Sequence, residues 1–224
     1  MSIYKPKSGV AFDIDGIVLD TGTEIWKAVT SHYGIPWSLE AWKEYYIEKQ
    51  LGIPQEDMRP VYEPVLWRSD LPLIEGASAT LKRFYEMTKE PILFITARRP
   101  QFIETAEASI RRELGDTPME IVATSEAAAR LGDNKGHDKT SYLKEHGIGF
   151  FIDDHPHSWE NYMNAGVCIG TLDWPWTRDK GRQMLENGYK DKFVMFKSWK
   201  AIHSYLHLTV VFKNFVDNHK EFGT

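Results

Sequence analysis

Two carboxylates stand two residues apart in Val10-Ala11-Phe12-Asp13-Ile14-Asp15-Gly16, at the end of an apolar run and just before a glycine. Val10, Ala11, Phe12 and Ile14 suit a central strand covered on both faces, where an unpaired carboxylate is costly. Asp13 and Asp15 therefore need a cation, a partner or an opening at the carboxyl end of that strand. Strand alternation predicts that both side chains share a face, with the chain bending at Gly16. Such a pair holds a divalent metal and leaves one oxygen free to act. Three more groups of the same kind follow. The apolar run Ile92-Leu93-Phe94-Ile95 ends in Thr96-Ala97-Arg98-Arg99, and Phe150-Phe151-Ile152 ends in Asp153-Asp154. Between them, Asp138-Lys139-Thr140 places Lys139 at the opening of a helix.

Acids, a hydroxyl with neighbouring backbone donors, and a lysine gathered at one edge suit phosphoryl transfer. Magnesium is hard, prefers oxygen, and is commonly held by one or two carboxylates with water and substrate phosphate. Thr96, the backbone around it and Lys139 can bind phosphate oxygens and stabilise transition-state charge. With repulsion lowered by a metal, one carboxylate can attack phosphorus to form an acyl phosphate. A second carboxyl can protonate the leaving oxygen and then activate water.

The elements that must position these residues follow from the alternation of short apolar runs with amphipathic stretches, the pattern of an α/β protein with a parallel sheet. Strands are predicted over Gly9 to Ile14, Ile92 to Ile95, Met119 to Ala123, Phe150 to Ile152, Val167 to Thr171 and Phe193 to Phe196. Helices are predicted over Ala77 to Thr88, Gln101 to Leu114 and Lys139 to His146. Pro100 near the start of the second and Gly115 just past its end fit the asymmetry of helix termini. Ligands bind such sheets at the carboxyl ends of the strands. From about Thr21 to Asp70 the alternation stops, and helix-like stretches carry Trp26, Tyr33, Trp37, Trp42, Tyr45, Tyr46 and Trp67. Gly34-Ile35-Pro36 and Gly52-Ile53-Pro54 mark turns within this insert. Following directly on the first strand, it is placed to lie over the strand ends.

Taken singly, each group has an ordinary structural account. Asp13 and Asp15 suit an acidic turn, Thr96 a helix start, Lys139 a solvated helix position, and Asp153-Asp154 a capped turn, although adjacent acids repel unless a cation is near. Lys135 rivals Lys139 but lies in the loop-like Gly132-Asp133-Asn134-Lys135-Gly136. His155 and His157 suggest zinc, yet no cysteine is nearby and the surrounding set is rich in oxygen, which favours loop positions facing the insert. The aromatic residues of the insert suit core packing first and stacking on a ligand second.

Composition narrows the setting. The 224 residues, 42% hydrophobic and 26% charged, suffice for one sizeable core with a small accessory unit. A formal charge of -5 argues against a broad nucleic-acid-binding face and leaves room for small anionic substrates. A single cysteine, Cys168, within the apolar Val167-Cys168-Ile169, fits a buried thiol in a reducing compartment. Neither a signal-peptide core near Met1 nor a membrane-length apolar run is evident, so a cytoplasmic location without a membrane partner is expected.

In this order, Asp13-Ile14-Asp15-Gly16, Thr96, Lys139 and Asp153-Asp154 resemble the four motifs of the haloacid dehalogenase-like superfamily of phosphatases, over about Val10 to Asp154. The resemblance implies a Rossmann-like three-layer core with a mainly parallel sheet, residues 1–20 and 71–224, and a small helical cap, residues 21–70, inserted after the first strand. It also implies Asp13 as nucleophile and Asp15 as general acid and base, with Thr96 and Lys139 holding the phosphoryl group. Asp13, the Asp15 carbonyl and Asp153 would bind Mg2+, supported by Asp154. Ile17 stands where threonine or valine is often found. Thr96-Ala97-Arg98, Asp138-Lys139, Asp153-Asp154-His155-Pro156-His157 and Asp173-Trp174-Pro175-Trp176 further resemble the 5'(3')-deoxyribonucleotidase family, with Thr177 where asparagine is often found. That likeness implies hydrolysis of a nucleoside monophosphate, with Ala97 and Arg98 assisting phosphate recognition. A sugar or small-metabolite phosphatase, a nucleic-acid-end phosphatase and an inactive phosphate- or metal-binding module are the other readings. A dehalogenase is disfavoured, since by resemblance that branch lacks the acid that Asp15 supplies. The expected partner is a small phosphorylated metabolite rather than a nucleic acid, and the segment from Trp199 to Thr224 leaves a homodimer open.

Overall fold

Six short apolar segments become the strands of one parallel sheet: β1 (Val10–Phe12), β2 (Ile92–Thr96), β3 (Met119–Ala123), β4 (Phe150–Ile152), β5 (Cys168–Leu172) and β6 (Phe193–Phe196). The computed structural model describes residues 9–36, 38–124 and 138–220, the last eleven by their backbone alone; Trp37 and Lys135 lie outside the described residues. The strand order is β3-β2-β1-β4-β5-β6, with Phe12 level with Phe94 on one side and with Ile152 on the other. Every residue of β1, β2 and β4 is buried, as expected of central parallel strands covered on both faces. The edge strand β3 is only partly covered.

Helices cover both faces and make three layers. On one face lie α4 (Ala77–Thr88), α5 (Ile103–Leu114) and α9 (Trp199–Lys220), whose Phe84, Ile110, Trp199 and Ile202 pack with Phe12 and Phe94. Phe12 meets Phe84 edge-on at 5.6 Å and stacks on Trp199 at 5.9 Å, both favourable ring geometries. On the other face, α6 (Lys139–Glu145), α7 (Trp159–Asn164) and α8 (Pro175–Glu186) contribute Leu143, Trp159, Tyr162 and Met184 to a cluster with Leu93, Ile95 and Phe151. The strand order reverses at β1, so the crevice beyond the carboxyl ends of β1 and β4 is the place where this architecture receives ligands.

Between β1 and α4 the chain forms α1 (Thr21–Tyr33), a 3-10 turn at Leu39–Ala41, α2 (Ile47–Leu51) and α3 (Gln55–Leu66). Gly34 and Gly52 end α1 and α2 in the left-handed conformation, at φ 64° and 65°. Trp26, Val29, Trp42, Ile47 and Met58 form a separate cluster closed by Trp176 of α8. Trp26 stacks on Trp42 at 5.7 Å and Trp42 lies 4.4 Å from Trp176, so these indoles pack the interior of the segment.

Several local expectations change. Strand β1 stops at Phe12 rather than Ile14, because the chain turns at once into the Asp13–Gly16 bend. The helix expected from Gln101 begins as a 3-10 turn over Pro100–Phe102. Helices α7 and α8 escape the sequence pattern, one because it has only six residues, the other because its polar run includes Gly181. A Cβ at that glycine would stand 2.3 Å from the Met195 sulfur and force that side chain to shift. Cys168 is partly exposed at the start of β5 rather than buried. Among the described residues, no helix is long and apolar enough to cross a membrane.

Candidate active site

The end of β1 meets the end of β4 at the buried carboxylate of Asp13. Its backbone N–H continues the sheet by donating to the Ile152 carbonyl at 2.8 Å, and Oδ1 accepts from the Ile14 N–H at 2.8 Å. Lys139 enters from the first turn of α6, which Asp138 opens by accepting the Ser141 N–H at 2.8 Å. Its Nζ lies 3.0 Å from Asp13 Oδ2 and 2.9 Å from Asp153 Oδ1. Asp153 is itself held by the His155 N–H at 2.9 Å. The adjacent Asp154 turns the other way, and its Oδ2 accepts from Trp176 Nε1 at 3.1 Å. Its Oδ1 is buried without a hydrogen-bond partner. Gly16 makes room for this carboxylate. Its φ of 70° belongs to the left-handed region, and a Cβ there would lie 1.9 Å from Asp154 Oδ2.

This acid cluster carries more negative charge than one lysine balances. Burial, reinforced by Asp153 and Asp15 and opposed by Lys139, pushes Asp13 up to about 8. Burial and the charges of Asp13 and Asp153 push Asp154 well above the carboxylate range. Burial alone would lower Lys139, but Asp13 and Asp153 hold it well above its ordinary value. A hard divalent cation fits this oxygen-only donor set and would supply the partner that Asp154 Oδ1 lacks. Among the described residues no three acidic, histidine or cysteine side chains stand together in metal-holding geometry. Magnesium does not require three, since water and substrate phosphate commonly complete its shell.

The second acid of the pair lies apart from this cluster. Beyond the end of the strand, Asp15 is gripped by Arg98, with Nε at 2.8 Å and a terminal nitrogen at 2.6 Å. Burial alone would raise Asp15, but the guanidinium holds it below the ordinary carboxylate range. The same guanidinium reaches the Thr21 hydroxyl at 3.3 Å and the Phe102 carbonyl at 3.4 Å. All three nitrogens of Arg98 are thus engaged within the protein, and the side chain also forms part of the cavity wall. Thr96 ends β2 beside it, its hydroxyl accepting the Arg98 N–H at 3.1 Å.

A cavity of about 410 Å³ opens over these residues, with Asp13, Asp15, Thr96, Ala97, Lys139 and Asp154 in its walls. Asp153 lies beneath, fully buried. The opposite wall comes from the helical segment and includes Tyr45, Tyr46, Tyr62 and Glu63. A further recess of about 830 Å³ shares Lys139 and His155 and is lined by Thr140, Ser141, Asn161 and Asn164. Both histidines face the helical segment. Tyr46 Oη lies 3.2 Å from His155 Nε2, the Tyr46 ring stacks on His157 at 5.2 Å, and Tyr45 lies 4.4 Å from His155. Two site residues had no recognisable sequence signal for their roles. Arg99 bonds Glu63 across the cavity at 2.9 Å, and the Trp176 indole meets Asp154. Thr177 caps α8 by accepting the Trp174 N–H at 3.0 Å.

No family model and no curated protein matches the chain. Solved structures do. A conserved haloacid dehalogenase-like protein of unknown function from Agrobacterium tumefaciens superposes with a TM-score of 0.60 at 13% identity, over 89% of this chain and 97% of that one. The chain has the haloacid dehalogenase-like fold. A haloacid dehalogenase-family hydrolase from Deinococcus radiodurans, solved with bound phosphate and sodium, gives 0.57 at 16% identity over 92% and 97%. A haloacid dehalogenase-like hydrolase from Streptococcus pneumoniae gives 0.55 at 12% over 88% and 97%. At these identities the likeness is one of fold.

Proposed function

We propose that the protein is a magnesium-dependent phosphomonoesterase that works through a phosphorylated Asp13, with nucleoside monophosphates as its substrate class. The observation that carries this is the position of Asp13, buried at the base of the cavity, 3.0 Å from Lys139 and close to the unpartnered Asp154 oxygen. Asp13, the Asp15 carbonyl and Asp153 would hold the cation, with Asp154 supporting it. When bound, Mg2+ offsets the repulsion between carboxylate and phosphate and polarises the phosphoryl oxygens.

Asp13 attacks phosphorus while the bond to the leaving oxygen breaks, and Asp15, which must first take up a proton from solvent against the pull of its Arg98 pairing, gives that proton to the oxygen. Water then attacks the phosphoryl aspartate, Asp15 takes the proton that water loses, and phosphate departs with Asp13 restored. Lys139 orients Asp13 and, with Thr96, stabilises charge on the transferring group. Residues 21–70 act as the cap and residues 1–20 and 71–224 as the catalytic core. The tyrosines of the cavity wall support a nucleoside as leaving group, because a planar base offers them a stacking surface.

The hydroxyl and amide side chains of the larger recess favour a second reading, a sugar or other small-metabolite phosphate. A screen of nucleoside, deoxynucleoside and sugar phosphates with magnesium decides between them. Fast turnover of a sugar phosphate with uniformly slow nucleotides would replace the first reading by the second. Asp13→Asn should abolish turnover and phosphoryl trapping while leaving the melting profile cooperative; undiminished activity would overturn the mechanism itself.

A further inference from the structure

We infer that Arg98 is a positioning residue for Asp15, holding the carboxyl group that serves the leaving oxygen rather than binding the phosphate. The inference rests on the phosphatase reading above and adds the residue that aims its acid and base. The observation is a bidentate, buried grip. The Arg98 side chain is only 2% exposed and its carboxylate partner 31%, so the guanidinium forms the back wall and Asp15 the face turned to the cavity. Nε and a terminal nitrogen hold one carboxylate oxygen each, and such fork-to-fork pairing fixes orientation as well as distance. The fork is itself fixed, by the Phe102 carbonyl and the Thr21 hydroxyl, each from a different element.

The backbone extends the consequence. The Arg98 N–H donates to the Thr96 hydroxyl at 3.1 Å, so one three-residue turn carries at its first residue a hydroxyl facing the phosphoryl site and at its third the support of the acid. Phosphate position and acid position are thereby set by one piece of chain. The alternative role for Arg98, direct phosphate binding, would fall to the one Nη1 N–H that Asp15, Thr21 and Phe102 leave over, while the grip on Asp15 takes both the Nε and a terminal nitrogen.

In the first step the P–O bond to the leaving group breaks and the Asp15 proton moves to the departing oxygen. In the second, a water proton returns to Asp15 as its oxygen bonds to phosphorus. An aryl leaving group departs without a proton, whereas an alkoxide does not, so misaiming Asp15 has unequal effects on the two. The test uses 4-nitrophenyl phosphate and the best alkyl phosphate from the substrate screen, with magnesium, on wild type, Arg98→Ala, Arg98→Lys, Asp15→Asn and the double variant Asp15→Asn/Arg98→Ala.

Arg98→Ala should slow the alkyl ester about 100- to 10,000-fold and the first aryl turnover less than about tenfold, the span general acid–base groups supply. With the aryl ester it should release a burst of one nitrophenol per enzyme and then stall as phospho-Asp13. Arg98→Lys, a point charge that cannot hold both oxygens, should fall between, and it carries the test if Arg98→Ala does not fold. Adding Arg98→Ala to Asp15→Asn should cost nothing more, as expected for two residues acting as one unit.

Equal losses in the first turnover of both esters, with no aryl burst, would mean a merely structural role and would overturn the inference. A raised KM on both with kcat unchanged would assign Arg98 to phosphate binding and overturn it equally. Either result leaves the phosphatase reading standing, while a wild-type protein that never phosphorylates Asp13 would remove that reading itself.

Discussion

Asp154 and Gly16 show at the residue scale how little freedom the site allows. The carboxylate of Asp154 sits where any Cβ on residue 16 would collide with it, and the backbone at residue 16 is already left-handed. Gly16→Ala should therefore lower the melting temperature by about 2–8 °C, the left-handed alanine alone costing about 1–2 kcal/mol, and should displace Asp154. Thermal melts with and without magnesium check this; an unchanged melt and an unchanged metal response would refute it. Asp154 itself is a buried acid with one oxygen unpartnered, held above the ordinary carboxylate range by burial and by Asp13 and Asp153. Removing its charge should relieve that crowding. Asp154→Asn is expected to melt at or above the wild-type temperature without metal, and to gain less than wild type when magnesium is added.

The element that most changes the picture is α8. It lies outside the four sequence groups, yet its start touches both the acid cluster and the helical segment. Trp176 donates to Asp154 at 3.1 Å and packs on Trp42 at 4.4 Å, while its neighbour Trp174 donates to the Gly16 carbonyl at 2.6 Å. A single helix start thus supports the acid, the bend after β1 and the interior of the helical segment. Trp176→Phe keeps an aromatic ring in the cluster but removes the indole N–H. By analogy with other groups that orient metal-binding residues, it should weaken apparent magnesium affinity about 10- to 100-fold while leaving the metal-free melt within a few degrees of wild type. Magnesium titration followed by melting temperature measures this, and an unaltered affinity would show that the N–H does not tune Asp154.

Across the whole molecule, the strand order brings residues far apart in the chain to one crevice. Asp13 and Asp153 sit just past the ends of adjacent central strands, Lys139 arrives from the helix before β4, and Arg98 from the turn after β2. Under the proposed function, a metal that binds this assembled state and not the unfolded chain would stabilise the fold by mass action. Magnesium at about a hundredfold excess over its dissociation constant should add about 2.7 kcal/mol, reversible by a chelator. Calorimetry with and without magnesium tests it, and equal stability in both would argue that the acids do not bind the ion.

Much of this was legible in the chain itself. Continuous apolar runs bounded by polar residues locate β3, β4 and β6 to the residue, and the period of Ala77 to Thr88 locates α4, because strand and helix patterning is written in local spacing. The acids at the strand ends stand out for the same reason: a charge that interrupts a buried run needs an explanation. Partners of long side chains are not written locally. Thr96 and Arg98, two residues apart, read as one phosphate-binding turn, but the guanidinium finds Asp15, 83 residues away. The tyrosines of residues 45 and 46 read only as ring area until His155 and His157 face them. Strand positions and the chemical type of the site follow from local sequence. Which charge holds which, and which ring walls the cavity, depend on the approach of distant elements, and only the tertiary structure decides that.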